Sequence, residues 1–252
     1  MPLQPKSNKV KGKRSKARPV TAIGCRVKSG WAMTVLVGGS VTAPRVLDRR
    51  RIELSDPTVP ATVQPYHAAF GSEQTDAAAV RRLTRLVARC ASQSVASLLR
   101  TYHAMGYRPR RIALVVGSTV DPASIANQHI RAHAHEGRLF RTVVQAAATR
   151  HRIRSTVILE RELYGVAARR FGGSPQRIQQ AATALGQAVG RPWRTEDKAA
   201  AVGAWLLLAP VRTGQRHNTR LLLAQPYCRH LELPAVGSDL PRPRSRHDPL
   251  PG

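Results

Sequence analysis

Short apolar runs separated by turn residues dominate the first part of the chain. The run VTAIGCRV is typical of a buried strand, and a Lys-Ser-Gly turn follows it. WAMTVLVGG is a second run of this kind and ends in a Gly-Gly turn. PRVLDRRRIEL alternates apolar and charged residues in part, as a half-exposed strand does. The pattern therefore predicts three strands joined by tight turns, at residues 20–27, 31–39 and 44–54.

Later in the chain the apolar spacing changes from that of strands to that of helices. Between Asp76 and about Met105 the apolar residues share one stripe and the arginines lie largely off it, which predicts a long amphipathic helix. The apolar runs RRIALVVGS and STVILE each predict a buried parallel strand. A second helix is expected between them, from Ser124 to about His151, and three helical pieces follow the last strand.

The order of these elements restricts the fold. Three hairpin-linked strands followed by two right-handed crossovers form an α/β structure. It has a mixed five-stranded sheet, three antiparallel strands and then two parallel ones, with helices on both faces. This is the ribonuclease H-like order, and we expect residues 19–212 to form one such domain. Residues 1–18 are expected to be a disordered basic arm, and residues 213–252 a basic Pro/Arg-rich extension that is partly disordered.

The charge of the chain indicates an anionic partner. It contains 41 Lys and Arg against 14 Asp and Glu, a formal net charge of +27. The positive electrostatic potential of such a chain attracts nucleic acid, either DNA or RNA, and an anionic membrane surface is the second possibility. The sequence has no apolar run of about 18 residues and no apolar segment behind its basic N-terminus, which argues against a membrane span and a signal peptide. Three widely spaced cysteines fit reduced thiols in the cytoplasm.

The N-terminal arm is the first candidate for contact with nucleic acid. Its seven basic residues, with no acid among them, include Lys9, Lys11, Lys13 and Arg14. Tethered cations of this kind release counterions from phosphates when they bind DNA or RNA. A solubility tail would have the same composition, so both interpretations remain open.

Three segments together resemble one known family. AIGCRVKSGWA resembles its first hairpin, and IALVVGSTVDP resembles its fourth strand with the exit loop. DKAAAV, together with the apolar run WLLL, resembles its last helix, where an Asp precedes an Ala-rich stretch. The family is the RuvC and YqgF type of Holliday-junction resolvase homologue, within the ribonuclease H-like superfamily. The chain is also similar to predicted RNase H-like nucleases of unknown substrate.

The resemblance implies phosphodiester hydrolysis with Mg²⁺ as the cofactor. Two-metal hydrolysis needs several carboxylates that converge on ions about 3.5–4 Å apart. The family places its first carboxylate near the middle of strand one, where this chain has Cys25 with Arg26 next to it. The candidate catalytic residues are therefore Asp121, Glu160 and Asp197, and the last two would be the metal ligands.

The acids of the segment TEDKAAAVGAWLLL have two interpretations. Thr195 is a good N-cap, and Glu196 and Asp197 in the first helical turn favour the helix dipole. Capping alone would explain both acids. The resemblance instead assigns Asp197 to the metal site and leaves Glu196 to the cap.

The segment HIRAHAHEGRLFR is a further candidate site. His129 and His133 are spaced i, i+4 and share a helix face, where they could bind a transition metal with Glu136 or His135 nearby. A solvated helix surface and a phosphate-contacting face are the alternatives. The candidate phosphate contacts outside the arm are Lys28 in the first turn, which could equally serve the hairpin alone, and Arg131, His133, Arg138 and Arg141.

Three functions remain open from these observations. The first is a nucleic-acid-binding protein of RNase H-like fold that has lost catalysis. The second is an active Mg²⁺-dependent nuclease that acts on structured DNA or RNA, and the third is a structural RNA-associated protein. The sequence contains no P-loop, nucleophile elbow or GxGxxG motif, so it indicates no site of those kinds.

Overall fold

A computed structural model describes residues 20–68 and 71–209 of the chain. Its centre is one mixed sheet of five strands in the spatial order β3-β2-β1-β4-β5. In chain order the strands are β1 Thr21–Lys28, β2 Trp31–Gly39, β3 Pro44–Glu53, β4 Arg111–Val116 and β5 Arg154–Leu159. Each coincides closely with a strand predicted from the apolar runs.

The pairing of the strands confirms the predicted topology. β1 pairs with β2, and β2 with β3, in the antiparallel sense, whereas β4 pairs in parallel with both β1 and β5. β1 is thus the central strand, and its residues Ile23–Arg26 lie beside Ile112–Val115 of β4. The result is the mixed five-stranded sheet of the ribonuclease H-like order.

Five α-helices within the described residues cover the sheet. They are α1 Ala77–Ala104, α2 Gln128–Arg150, α3 Glu160–Phe171, α4 Pro175–Leu185 and α5 Thr195–Leu206. The apolar stripe predicted for α1 is largely buried, including Leu83, Val87, Val95, Leu98 and Leu99. No helix within the described residues is long and apolar enough to cross a membrane.

Helix α2 begins later than Ser124, so its predicted start was wrong. A short 3₁₀ turn at Pro122–Ser124 comes first, and Asp121 caps that turn by accepting a hydrogen bond from the N–H of Ala123. The helix itself starts after Asn127, whose Oδ1 accepts from the N–H of Ile130 at 3.0 Å. The later start follows from the cap, because a helix begins where a side chain satisfies its first free N–H groups.

The sheet has a separate apolar core on each face. Ile23, Cys25 and Val27 of β1 pack with α1 and α2, whereas Ala22 of the same strand packs with α3, α4 and α5. This division follows from the alternation of side chains along a strand. The parity of a residue in β1 therefore decides which group of helices its side chain meets.

Helix α5 lies very close to the central strand. A Cβ added at Gly24 would lie 1.7 Å from the backbone oxygen of Ala200 and 2.9 Å from the nitrogen of Ala204. Only a residue without a Cβ permits this approach, and the Ala-rich sequence of α5 keeps the opposite surface equally small. The segment TEDKAAAVGAWLLL is thus largely a core helix, and Asp197 near its start is 1% exposed.

The two tryptophans of this region pack between elements of the fold. Trp205 is buried and stacks on Phe171 with ring centroids 4.4 Å apart, and its Nε1 donates to the backbone oxygen of Val41. Nε1 of Trp193 donates to the backbone oxygen of Ala182. The predicted basic arm at residues 1–18 and the extension at residues 213–252 lie outside the described residues.

Candidate functional site

The side chain of Arg26 occupies the edge of the sheet where β1, β4 and β5 end. Its Nε donates to Oε1 of Glu160 at 2.9 Å, and its Nη2 donates to the other carboxylate oxygen. Nη1 donates to the backbone oxygen of Val27 at 2.7 Å and lies 3.4 Å from that of Val115. The arginine side chain is only 5% exposed. Strand β1 therefore holds a buried cation against Glu160.

Cys25 points away from this edge. The resemblance matched it to the first carboxylate position, but its neighbour Arg26 is the residue that faces Glu160. The thiol lies in the core between the sheet and helices α1 and α2, and this burial raises the pKa of Cys25 to about 12. Cys25 is therefore a core residue that stays protonated.

Glu160 opens helix α3 directly after β5. Its side chain is 36% exposed, and both of its oxygens accept hydrogen bonds from Arg26. A two-point pair of this kind engages the carboxylate from the side that faces the strand ends. A metal ion bound there would have to displace the guanidinium.

Asp197 forms the cap of helix α5. Its Oδ2 accepts from the backbone N–H of Arg194 at 2.7 Å, which is the bond that a third helical residue makes in a capping box. Arg194, and not Thr195, is therefore the N-cap residue. Oδ1 is buried without a hydrogen-bond partner and lies 3.8 Å from Nε of Arg49, whose charge compensates it. The predicted role of Thr195 as the cap was wrong, because Asp197 reaches back to the residue before it.

The other acid of this turn, Glu196, faces the first hairpin. Its Oε1 lies 3.7 Å from Nζ of Lys28, in a partly exposed ion pair. The sequence assigned the cap to Glu196 and left Asp197 to the metal site. In the structure Asp197 makes the capping bond, so the assignment of the cap to Glu196 was wrong.

Asp121 lies on the surface beyond β4. It caps the 3₁₀ turn before α2, and its Oδ1 is 3.4 Å from Nη1 of Arg138. The aspartate side chain is 66% exposed, and that of Arg138 is 50% exposed. Such a pair contributes little to stability and leaves both groups open to solvent.

The three predicted carboxylates do not form one metal site. Glu160 contacts Arg26, Asp197 lies near Arg49, and Asp121 contacts Arg138. Within the described part of the chain, no group of three acidic side chains brings its oxygens within 4.8 Å of one another. A two-metal centre needs carboxylates shared between ions about 3.5–4 Å apart. The residues present therefore do not fit a pair of Mg²⁺ ions.

A cleft of about 290 Å³ opens between the end of β1, the exit of β4 and helix α2. Arg26, Lys28, Arg138 and Arg141 contribute to its lining, which includes no acid. Arg141 is half-buried and forms no ion pair with a described carboxylate. Burial, and then the neighbouring Arg138, lower its pKa from the ordinary value. A concave surface of this charge attracts anions.

The cleft collects most of the predicted phosphate contacts outside the arm, namely Lys28, His133, Arg138 and Arg141. Arg131 is not among the lining residues. Its Nε and Nη2 both donate to Oε2 of Glu73, at 2.8 and 2.6 Å, and tie the loop before α1 to helix α2. The predicted contacts of the arm, Lys9, Lys11, Lys13 and Arg14, lie outside the described residues.

Three histidines form a second group beside the cleft. His129 and His133 share a face of α2, as their spacing predicted, and His67 joins them from the loop before α1. One ring nitrogen of each lies within 4.8 Å of the others. Glu136, predicted to be nearby, is fully buried, and its Oε1 is 2.6 Å from Nδ1 of His67. His67 could not be predicted from the sequence, because no spacing relates it to α2.

Comparisons with known proteins show a similarity of the backbone fold only. No family model and no curated protein matches it. Several solved structures are similar, and three of them serve as examples. RuvC of Thermus thermophilus in complex with a Holliday junction substrate has 12% identity and a TM-score of 0.46, covering 74% of this chain and 91% of that chain. The yeast mitochondrial Holliday junction resolvase Ydc2 has 8% identity and a TM-score of 0.39, covering 74% and 77%. An Aquifex aeolicus member of the Ppx/GppA family has 10% identity and a TM-score of 0.32, covering 61% and 40%. At these identities no site residue is carried over to this chain.

Proposed function

We propose that this protein binds the phosphate backbone of nucleic acid at the cleft between β1, β4 and α2, and that it does not cleave it. The observation that carries the proposal is the cationic lining of the cleft, in which Arg26, Lys28 and Arg138 pair with acids outside the lining and Arg141 pairs with no described carboxylate. Arg141 is half-buried without a carboxylate partner among the described residues, so a bound anion would compensate its charge. Guanidinium groups donate two N–H bonds to phosphate with matching geometry.

The charge outside the cleft favours a polymer over a small anion. The chain carries a net charge of +27, far more than the cleft itself contains. Exposed arginines are also present on α1, at Arg81, Arg82, Arg85 and Arg89. Duplex DNA carries one charge for about every 1.7 Å of its axis, so it can occupy the cleft and the surrounding surface together. A small anion would satisfy the cleft alone.

The arrangement of the carboxylates supports binding over cleavage. Both oxygens of Glu160 accept bonds from Arg26, and Asp197 is used as the cap of α5. A nuclease that used these acids with Mg²⁺ would have to displace Arg26 and uncap α5 in the same event. Loss of a buried charge partner and of a helix cap would oppose that change.

Fluorescence anisotropy with labelled four-way junction, duplex DNA and single-stranded RNA, each at several salt concentrations, tests the proposal. The Arg138→Ala/Arg141→Ala variant should bind on the order of 10-fold more weakly. It should also lower the log–log salt slope by about two units, because each lost phosphate contact removes about one. The matched control is Arg169→Ala/Arg177→Ala, which removes the same charge from exposed positions of α3 and α4, on the other face of the sheet from α2.

Two results would contradict the proposal. Equal losses in the cleft variant and in the α3/α4 control variant would show that binding is spread over the surface and that the cleft is not the site. A salt slope near zero for every nucleic acid would remove the nucleic-acid function altogether. Incubation of the same substrates with Mg²⁺ or Mn²⁺ decides the question of cleavage. Products that disappear in the Glu160→Gln variant would replace the binding function by nuclease activity.

A further inference from the structure

We propose that His67, His129 and His133 bind a transition-metal ion, for which Zn²⁺ is the best fit. This site is distinct from the carboxylates discussed above and does not depend on binding of nucleic acid. Imidazole nitrogens are preferred ligands of zinc and poor ligands of Mg²⁺. Two of the ligands come from α2, and the third comes from the loop before α1.

The contacts of the Nδ1 atoms orient the three rings. Nδ1 of His67 lies 2.6 Å from Oε1 of Glu136, and Nδ1 of His129 lies 2.9 Å from the backbone oxygen of Gly71. Nδ1 of His133 is 3.3 Å from Oε2 of Glu136. Histidines that bind a metal almost always donate their second ring N–H to a carboxylate or a carbonyl oxygen. Nδ1 of His67 and Nδ1 of His129 are thus engaged by oxygen, which leaves Nε2 of each ring as the metal ligand, whereas Nδ1 of His133 lies near the same carboxylate without a hydrogen bond.

Two buried polar atoms at this place lack partners. Nε2 of His67 is buried and forms no hydrogen bond. Glu136 is fully buried, and its Oε2 also forms none, since the 3.3 Å contact with His133 does not have hydrogen-bond geometry. Unpaired buried groups are uncommon in proteins and require a reason. A cation bound to Nε2 of His67 would be the missing partner of that nitrogen, and its charge would compensate the charge of Glu136.

The two simpler interpretations of the cluster explain less. A solvated helix surface accounts for the exposed His129 and His133 but not for the buried carboxylate behind them. An ion pair between a protonated His67 and Glu136 would bury a second N–H, on Nε2, without an acceptor. It would also place that charge next to two further imidazoles, whose ring centroids lie 4.3 and 5.2 Å away.

The geometry suits a three-histidine site with an open position. Zinc–nitrogen bonds of about 2.0–2.1 Å in a tetrahedral centre place the nitrogens about 3.3 Å apart. The ring nitrogens lie within 4.8 Å of one another in the structure. The rings of His129 and His133 are exposed, so they can rotate to bring the nitrogens to the shorter separation. His133 also lines the cationic cleft, so the fourth position would lie beside the proposed phosphate site.

The test uses the full chain, freed of metal by a chelator and titrated with Zn²⁺ in competition with a chromogenic chelator. We expect stoichiometric binding by one high-affinity site, and visible absorption typical of tetrahedral coordination when Co²⁺ replaces Zn²⁺. The His129→Ala/His133→Ala variant should lose on the order of 100-fold or more in affinity. Glu136→Gln, which removes the orienting carboxylate, should lose about 10- to 100-fold.

His103→Ala provides the control, because His103 is exposed on α1, away from the cluster, and its loss should leave the affinity unchanged. Unaltered affinity in the His129→Ala/His133→Ala variant would overturn the proposal, since the metal would then bind elsewhere on the chain. Absence of Zn²⁺ binding to the unmodified protein would overturn it as well. Both substituted rings are exposed, so the variant should keep its circular dichroism spectrum even where Glu136→Gln does not.

Discussion

Two groups of polar residues lie on helices that cover opposite faces of the same sheet and compensate charge in different ways. In the carboxylate group, Glu160 and Asp197, each acid has an arginine close by, Arg26 or Arg49. In the histidine group, His67, His129 and His133, the buried Glu136 contacts histidines and no described arginine.

The difference shows that the presence of ligand residues does not make a metal site. Glu160 already accepts N–H bonds from a guanidinium group and Asp197 from a backbone amide, so both carboxylates stabilise the fold and have little capacity for a cation. Imidazoles whose Nδ1 atoms are engaged by oxygen present their other nitrogens to a shared space. The family resemblance in the sequence predicted a metal site at the carboxylate group, whereas the geometry favours one at the histidine group.

The largest effect is expected from Gly24→Ala, which tests whether the two groups are independent. The new Cβ would overlap the backbone of Ala200 in α5, so the free energy of unfolding should fall by about 3 kcal/mol in denaturant titrations. Zn²⁺ affinity should be unchanged, because the histidine group lies on the other face. A parallel loss of metal binding would show that the two faces are coupled.

Gly165→Ala is the control for this change. Gly165 lies inside α3, and its nearest neighbour to an added Cβ is Nη1 of Arg169 at 3.5 Å, an ordinary contact. Alanine in a helix interior is more favourable than glycine by about 0.5–1 kcal/mol, so this variant should be slightly more stable than the unmodified protein.

The next largest effect concerns the ion pair of Arg26. Glu160→Gln removes the charge partner of a nearly buried guanidinium and should lower the free energy of unfolding by about 2 kcal/mol. This is less than for a fully buried pair, because Glu160 is 36% exposed. The double variant Arg26→Met/Glu160→Gln should regain most of that loss. If Glu160→Gln alone stabilised the protein, the carboxylate would be repelling other acids, as in an empty metal centre.

The smallest effects distinguish the two acids at the start of α5. Asp197→Asn should lower the free energy of unfolding by about 1 kcal/mol. The variant loses the negative charge that lies near the helix N-terminus and Arg49, while its amide oxygen can still accept the N–H of Arg194. Glu196→Gln should cost only about 0.3 kcal/mol, since its pair with Lys28 is partly exposed and 3.7 Å long. Thermal unfolding of both variants measures the difference, and the reverse order would restore the cap to Glu196.

The sheet and most helix positions could be predicted because their signals are local. A strand or an amphipathic helix needs only the periodicity of its own residues, and the order of elements then restricts the topology. The start of α2 could not be predicted in this way. Asp121, Ser124 and Asn127 can each accept hydrogen bonds at a helix start, and only the structure shows that Asn127 caps it.

The sequence by itself determined the class of the fold, the excess of positive charge and the pairing of His129 with His133 on one helix face. Only the tertiary structure decided which neighbour in β1, Cys25 or Arg26, meets the acid of α3. It also decided that His67 joins the two histidines of α2. Arg26 and Glu160 are 134 positions apart, and His67 and Glu136 are 69 apart. Contacts over such distances leave no periodicity in the chain, because they depend on the register of strands and the packing of helices on each face.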